Sequence, residues 1–274
     1  MPELPEVEVT KQGVTPYLLG QKIIKVAVHN KNMRWPVPDE VHHSEGLEIT
    51  SVSRRAKYLF LETSRGCIVF HLGMSGKMRV IDTTATKIKH DHIEVLLDSN
   101  KKLVLNDPRR FGACLWQDRN QEQAPLIIKL LGNLGPEPLT DDFDGHLLFE
   151  LSRGRVSPVK NFIMDNAVVV GVGNIYANES LFLAGIDPRR AAGRISRKRY
   201  VRLANKIKFV LSKAIQQGGT TLRDFAQADG NPGYFSQHLH VYGRAGEQCD
   251  VCGTLIRAKT IGQRNTFYCI SCQR

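Results

Sequence analysis

Between residues 15 and 118, hydrophobic and polar side chains alternate in short runs separated by polar or glycine-rich turns, the period-two signature of half-buried strands. The clearest runs are Tyr58 to Glu62, Cys67 to Leu72, His92 to Leu97, Lys102 to Leu105 and Ala113 to Trp116. Serial short strands behind an N-terminal helix predict a β-sandwich. The Gly- and Pro-rich run from Leu131 to Asp142 predicts a hinge. Beyond it the period lengthens. Leu203, Ile207, Val210, Leu211 and Ala214 form a helical stripe over 196–217, with Lys and Arg on the other face and Gly218-Gly219 as the stop. A shorter helix is expected over Asn178 to Ala184, entered from Gly171–Tyr176. The pattern predicts an α+β multidomain chain. An N-terminal helix and β-sandwich would occupy 1–130, a helical domain 131–236 and a C-terminal cysteine module 237–274.

Charge and cysteines narrow this picture. The 274 residues carry 38 basic and 27 acidic side chains, a formal net charge of +11, and the sequence pI is near 9.5. Such a balance favours a polyanionic partner, nucleic acid above all. No apolar run is long enough to cross a bilayer and no basic-then-apolar leader opens the chain, so a soluble cytoplasmic protein with no membrane partner is expected. Cys67 and Cys114 stand alone in alternating segments and read as packed thiols. Cys249, Cys252, Cys269 and Cys272 form two Cys-x-x-Cys pairs with 16 residues between them. Each tight turn offers two sulfurs to one tetrahedral ion, which predicts a zinc ribbon holding one structural zinc with no open coordination position.

The first residues carry candidate chemistry. Loss of Met1 would expose the secondary amine of Pro2, and an α-amino group titrates near pH ~8, leaving a useful nucleophilic fraction at cellular pH. Glu3 could move the proton such chemistry needs. The same stretch also reads as an ordinary helix start, with Pro5 in the first turn and Glu6 and Glu8 at the positive end. These residues alone leave both readings open.

Met1-Pro-Glu-Leu-Pro-Glu-Val-Glu8, Arg54-Arg-Ala-Lys57, His71-Leu-Gly-Met-Ser-Gly76, Asn106-Asp-Pro-Arg-Arg-Phe-Gly112, Gly171-Val-Gly-Asn-Ile-Tyr176 and the terminal cysteine pairs occur in one order. Together they closely resemble the formamidopyrimidine-DNA glycosylases, bacterial enzymes that remove oxidised purines from DNA. The resemblance runs from residue 2 to residue 273. It implies a helix-plus-β-sandwich domain, a helix–two-turn–helix domain and a zinc finger, acting on damaged double-stranded DNA as a monomer.

By that resemblance Pro2 is the nucleophile, Glu3 its acid–base partner and Glu6 a second carboxylate nearby. Lys57 is a catalytic or phosphate-holding lysine, and Arg264 binds phosphate and serves the second elimination. Met74, Arg109 and Phe111 match the triad inserted where the damaged nucleotide is flipped out, with Arg109 bonding the orphaned cytosine. Arg54 is expected to be a solvated strand entry and His92 to play no special part, whereas His90, Arg155, Asn174 and Tyr176 match DNA-contact positions. Gly171 and Gly173 could take positive φ and make a phosphate nest, and 218–234 resembles a mobile loop over the lesion. The implied activity is base excision followed by strand cleavage at both flanking phosphates, a glycosylase with lyase activity.

The chain departs from many relatives at Val9-Thr10-Lys11-Gln12, Lys77 and Gly154-Arg155-Val156. The related glycosylase for oxidised pyrimidines typically begins Pro-Glu-Gly-Pro-Glu and lacks the Asp-Pro-Arg-Arg-Phe segment, so Leu4 and Asn106–Gly112 speak against it. A zinc-ribbon protein that only senses lesions would have no need to keep Pro2, Glu3, Lys57 and Arg264 together.

Overall fold

The computed structural model describes residues 2–119, 122–219 and 239–274. They fall into two compact units, one built on Met1–Gly132 and the other on Asn133–Gln216 with Gln237–Arg274.

The first unit opens with helix α1 (Leu4–Leu18) and continues through eight strands: β1 (Ile23–Val28), β2 (Ser51–Arg55), β3 (Tyr58–Glu62), β4 (Gly66–His71), β5 (Lys77–Asp82), β6 (Asp91–Leu97), β7 (Lys101–Asn106) and β8 (Ala113–Asp118). Helix α2 (Pro125–Leu131) closes it. The strands form two antiparallel sheets of four, ordered β1-β6-β7-β5 and β2-β3-β4-β8. This is the expected sandwich. Alternation decides which residues enter it: Leu59, Leu61, Ile68, Phe70, Ile93, Val95, Leu103 and Leu105 point into one core, joined by Val7, Val14 and Leu18 of α1. The opposite faces of β3, β4 and β8 present Phe60, Val69 and Leu115 to Ile127 of α2.

The second unit contains α3 (Gly145–Ser152), α4 (Val159–Ile163), α5 (Asn174–Ala184), α6 (Arg197–Gln216) and the hairpin β9 (Arg257–Ile261) and β10 (Arg264–Tyr268). Every residue of the predicted α6 stripe is buried. Gly145 is needed where α3 meets α6, because a Cβ there would lie 2.2 Å from the Val201 Cα. Asp144 caps α3 by accepting the Leu147 N–H at 2.7 Å. Helix α5 starts four residues before the expected Asn178 and ends at Gly185 in the left-handed conformation.

The cysteine module packs against the helices of the same unit. Cys249, Cys269, Val241 and Ile256 share a core with Phe182 of α5. Glu179 of α5 accepts the N–H groups of His240, Val241 and Tyr242 at 2.8–3.0 Å. Among the described residues no helix is long and apolar enough to cross a membrane.

Candidate active site and nucleic-acid interface

Strand directions carry most of the predicted residues of the first unit to one end of the sandwich. Tyr58, His71 and Ala113 lie in register across β3, β4 and β8, while Lys77, Asn106 and Asp91 lie in register across β5, β7 and β6. The connections leaving this end therefore hold Lys57 (β2 to β3), Met74 (β4 to β5), His90 (before β6) and Arg109 with Phe111 (β7 to β8). Helix α1 runs antiparallel to β2. Its far end is fixed by the Gly20 N–H donating to the Ile49 carbonyl at 2.9 Å. Near its start, Glu8 accepts from Arg54 Nε at 2.8 Å. Pro2 and Glu3 thus stand at the same end as Lys57.

The start of α1 is tied down locally. Glu3 is the N-cap and forms a capping box with Glu6: each carboxylate accepts from the other's backbone N–H, Glu6 Oε2 at 2.9 Å from Glu3 N. Both residues are 2% exposed. Glu6, expected as a second carboxylate near the nucleophile, is buried there, and its bond to the Glu3 N–H fixes the orientation of Glu3. Arg54 also differs from expectation. Rather than a solvated strand entry, it is a largely buried cation that bonds Glu8 and the Ala56 carbonyl. With Lys11 and Gln12 it holds Glu8 below the usual carboxylate range against the opposing effect of burial.

Lys57 occupies the second position of a two-residue turn whose first residue, Ala56, takes φ 54°. His71, which the sequence reading passed over, lies close by. Burial first, then the charges of Lys57 and Arg34, push its pKa down to about 4. It is therefore neutral at pH 7, with Nδ1 accepting the Gly73 N–H at 3.0 Å and Nε2–H left as a donor. Its place at the head of the His71–Gly76 motif was the available signal.

The wedge residues sit on two loops built around Asp107, which is wholly buried. Its Oδ1 accepts from Ser75 Oγ at 2.6 Å and from the Arg109 N–H at 3.3 Å, and its Oδ2 accepts from the Gly112 N–H at 2.7 Å. The Asp107 N–H donates to the carbonyl of His90, itself at φ 73°, and His92 Nε2 lies 2.9 Å from the Asp107 carbonyl oxygen. Asp107 thereby registers the loops of Met74, Arg109 and Phe111 through its carboxylate and His90 through its backbone N–H. Phe111 is 41% exposed, too open for the core residue its type alone would suggest, and the Arg109 guanidinium lies 4.9 Å from its ring centre.

Gly73 makes the loops meet: at φ 62°, a Cβ there would stand 2.3 Å from the Phe111 carbonyl carbon. Gly73→Ala should cost about 1–3 kcal/mol of stability and slow turnover by displacing the wedge. Gly20→Ala shares the positive φ but meets nothing within 4 Å, so it isolates backbone strain. Equal unfolding temperatures and equal excision rates for the two variants would contradict the close-approach account.

In the second unit Asn174 opens α5 and donates from Nδ2 to the Asn265 carbonyl at 3.0 Å, bringing it beside Arg264. Gly262 and Gln263, at φ 55° and 59°, make the two-residue turn joining β9 to β10, so Arg264 begins a strand beside a tight turn. Gly171 takes φ 79°, but Gly173 is the extended N-cap of α5 with φ −104°. Tyr176 is 0% exposed and packs within the helical core. Expected as a DNA contact, it lies on α5, whose residues from Ile175 to Phe182 are all buried. Arg155 is exposed between α3 and α4, and among the described residues no hydrogen bond links it to Asn174 or Arg264. Residues 220–238, most of the expected lesion-covering loop, lie outside the described residues.

The four C-terminal cysteines converge with all Sγ atoms within 4.8 Å of one another, Cys249 and Cys272 at 3.9 Å and Cys252 and Cys269 at 3.4 Å. Tetrahedral Zn–S bonds of about 2.3 Å place sulfurs about 3.8 Å apart, so the donor set fits one structural zinc ion. Elemental analysis should find one zinc per chain. Cys252→Ser should lose it and weaken DNA binding, since the Arg264 hairpin springs from this module. Full activity without metal would contradict a structural role.

Three family models tile the chain: the formamidopyrimidine-DNA glycosylase N-terminal domain over 1–114, its H2TH domain over 134–226, and a zinc finger found in FPG and IleRS over 246–274. The formamidopyrimidine-DNA glycosylases of Alteromonas mediterranea and Pseudoalteromonas atlantica are 64% and 59% identical, each aligned over the whole of both chains. Among solved structures, the MutM (FPG) protein of Thermus thermophilus matches with a TM-score of 0.89 at 35% identity, covering 99% of this chain and 98% of that one. A Lactococcus lactis FPG mutant in complex with Fapy-dG-containing DNA matches with a TM-score of 0.90 at 32% identity over the full length of both. With the family models and the full-length relatives in agreement with the fold and the cysteine cluster, the chain belongs to the formamidopyrimidine-DNA glycosylase family.

Proposed function

We propose that this DNA glycosylase of base-excision repair attacks oxidised purines in duplex DNA through the amine of Pro2, exposed when Met1 is removed. The Pro2 nitrogen bonds to C1′ of the damaged nucleotide, the glycosidic bond breaks and the base departs with the electron pair. Glu3 shuttles the proton. Opening of the sugar leaves an iminium between protein and DNA, an electron sink that acidifies the neighbouring sugar protons. Loss of those protons expels the 3′ and then the 5′ phosphate, so strand cleavage needs no metal. Lys57 is a catalytic or phosphate-holding lysine close to the nucleophile, and Arg264 binds phosphate and serves the second elimination. Met74, Phe111 and Arg109 occupy the gap left by the flipped nucleotide, with His90, Arg155 and Asn174 on the backbone. The zinc ion organises the hairpin that carries Arg264. We also place the protein in the bacterial cytoplasm as a monomer, its segments 1–130, 131–236 and 237–274 contributing the nucleophile, the helical DNA contacts and the zinc hairpin.

The observation that carries this reading is the capping box: it buries Glu3 at the end of the sandwich where Lys57 and the wedge loops converge. Borohydride reduction during turnover on an 8-oxoguanine:cytosine duplex should link DNA to Pro2, as read by peptide mapping. An adduct on Lys57, or release of base with no adduct, would overturn it.

A further inference from the structure

Lys160, on α4, is 0% exposed, and no part of the proposed chemistry uses it. Burying an ammonium group is costly unless its protons are taken up by acceptors. Its Nζ donates to Thr266 Oγ1 at 2.7 Å and to the Asn265 carbonyl at 3.1 Å. The Thr266 hydroxyl, also fully buried, in turn donates to the Arg264 carbonyl at 3.2 Å. The chain of donors therefore runs from a buried cation through one hydroxyl to the backbone of the exposed arginine.

Neighbouring contacts hold the same hairpin without reaching Arg264 in this way. Asn178 Oδ1 accepts the Phe267 N–H at 2.8 Å. The Gly262 turn rests on Asn161, whose side chain would lie 2.5 Å from a Cβ at that glycine. The four cysteines fix the base of the hairpin. Arg264, at its tip, is followed directly by the two residues that Lys160 grips.

We propose that Lys160 is a positioning residue for Arg264. Through Thr266 it sets the backbone from which the guanidinium reaches the phosphate expelled in the second elimination. This rests on the role given to Arg264 above. An ammonium donor suits the task because it satisfies two oxygens from one buried point, and charge-assisted bonds are short and strong. A shift of about 1 Å in a positioned group costs as much as roughly a hundredfold in rate. Release of the damaged base and the first elimination do not call on Arg264.

The test separates the two strand-cleavage steps. On an abasic-site duplex, the products of the first and second eliminations are resolved by length on a sequencing gel under single-turnover conditions. Lys160→Met keeps the length of the side chain and removes its donors. Thr266→Val keeps the shape of the threonine and removes the relay, and it serves if Lys160→Met fails to fold. Either variant should slow the second elimination about 10- to 100-fold while the first elimination and zinc content stay near those of the parent.

Arg264→Ala is the reference. If it leaves the second elimination intact, the role given to Arg264 is wrong. If it abolishes that step while Thr266→Val and a folded Lys160→Met do not slow it, the positioning proposal is wrong. Combining Thr266→Val with Arg264→Ala should add nothing to Arg264→Ala alone. Full additivity, or equal slowing of both eliminations, would also overturn the proposal.

Discussion

Glu3→Gln should lower base excision about 10²–10⁴-fold, the usual worth of a positioned acid–base group, with little change in DNA affinity or unfolding temperature. The expectation follows from the two tasks the residue performs. As N-cap, Glu3 needs only an acceptor oxygen for the Glu6 N–H, and the glutamine amide retains one. As proton shuttle it needs an ionisable oxygen, which the amide lacks. Glu6→Gln provides the contrast, since a capping box accepts Gln at its far position and the amide oxygen can still take the Glu3 N–H. That variant should lose far less. Single-turnover rates on an 8-oxoguanine:cytosine duplex, with affinity for an uncleavable abasic analogue, separate chemistry from binding. Equal losses in the two variants would assign Glu3 a purely structural role.

Elements with a strong local pattern were legible in the sequence. The α6 stripe and strands β3, β4, β6, β7 and β8 appear within one or two residues of expectation. Strands β2 and β5 did not announce themselves. Ser51–Arg55 and Lys77–Asp82 are polar on much of their length, and their burial depends on neighbours. Short helices such as α4, five residues long, carry too few turns for a periodic signal.

The site divides in a similar way. The cysteine spacing was sufficient for the metal centre because both Cys-x-x-Cys turns are local, and tetrahedral geometry leaves little choice. Roles that arise from distant residues were not legible. Asp107 was quoted only as part of a motif, yet it binds both wedge loops through Ser75, Arg109 and Gly112. Lys160 and Thr266 are 106 positions apart, and nothing in either neighbourhood reports their bond. Burial was not legible either: Tyr176 belongs to a functional motif, and its 0% exposure follows from the packing around α5.

The structure also gives a physical basis for choosing between two adjacent arginines. Arg109 donates its N–H to Ser75 Oγ at 3.2 Å, and its guanidinium stacks near the exposed Phe111 ring. Arg110 takes φ 55° and donates its N–H to the Asp107 carbonyl, making it the residue that turns the chain. A guanidinium braced against the wedge ring is the one suited to meet an orphaned base. One oriented, charge-assisted contact to a base edge is worth about 1–3 kcal/mol of discrimination, or roughly a tenfold to hundredfold rate ratio. Excision should accordingly prefer cytosine over adenine opposite 8-oxoguanine by about that factor. Arg109→Ala should remove most of the preference and Arg110→Ala should leave it largely intact. Single-turnover rates on duplexes differing only in the opposite base decide the matter. If Arg110→Ala abolishes the preference while Arg109→Ala keeps it, stacking on Phe111 is not what aims the discriminating charge.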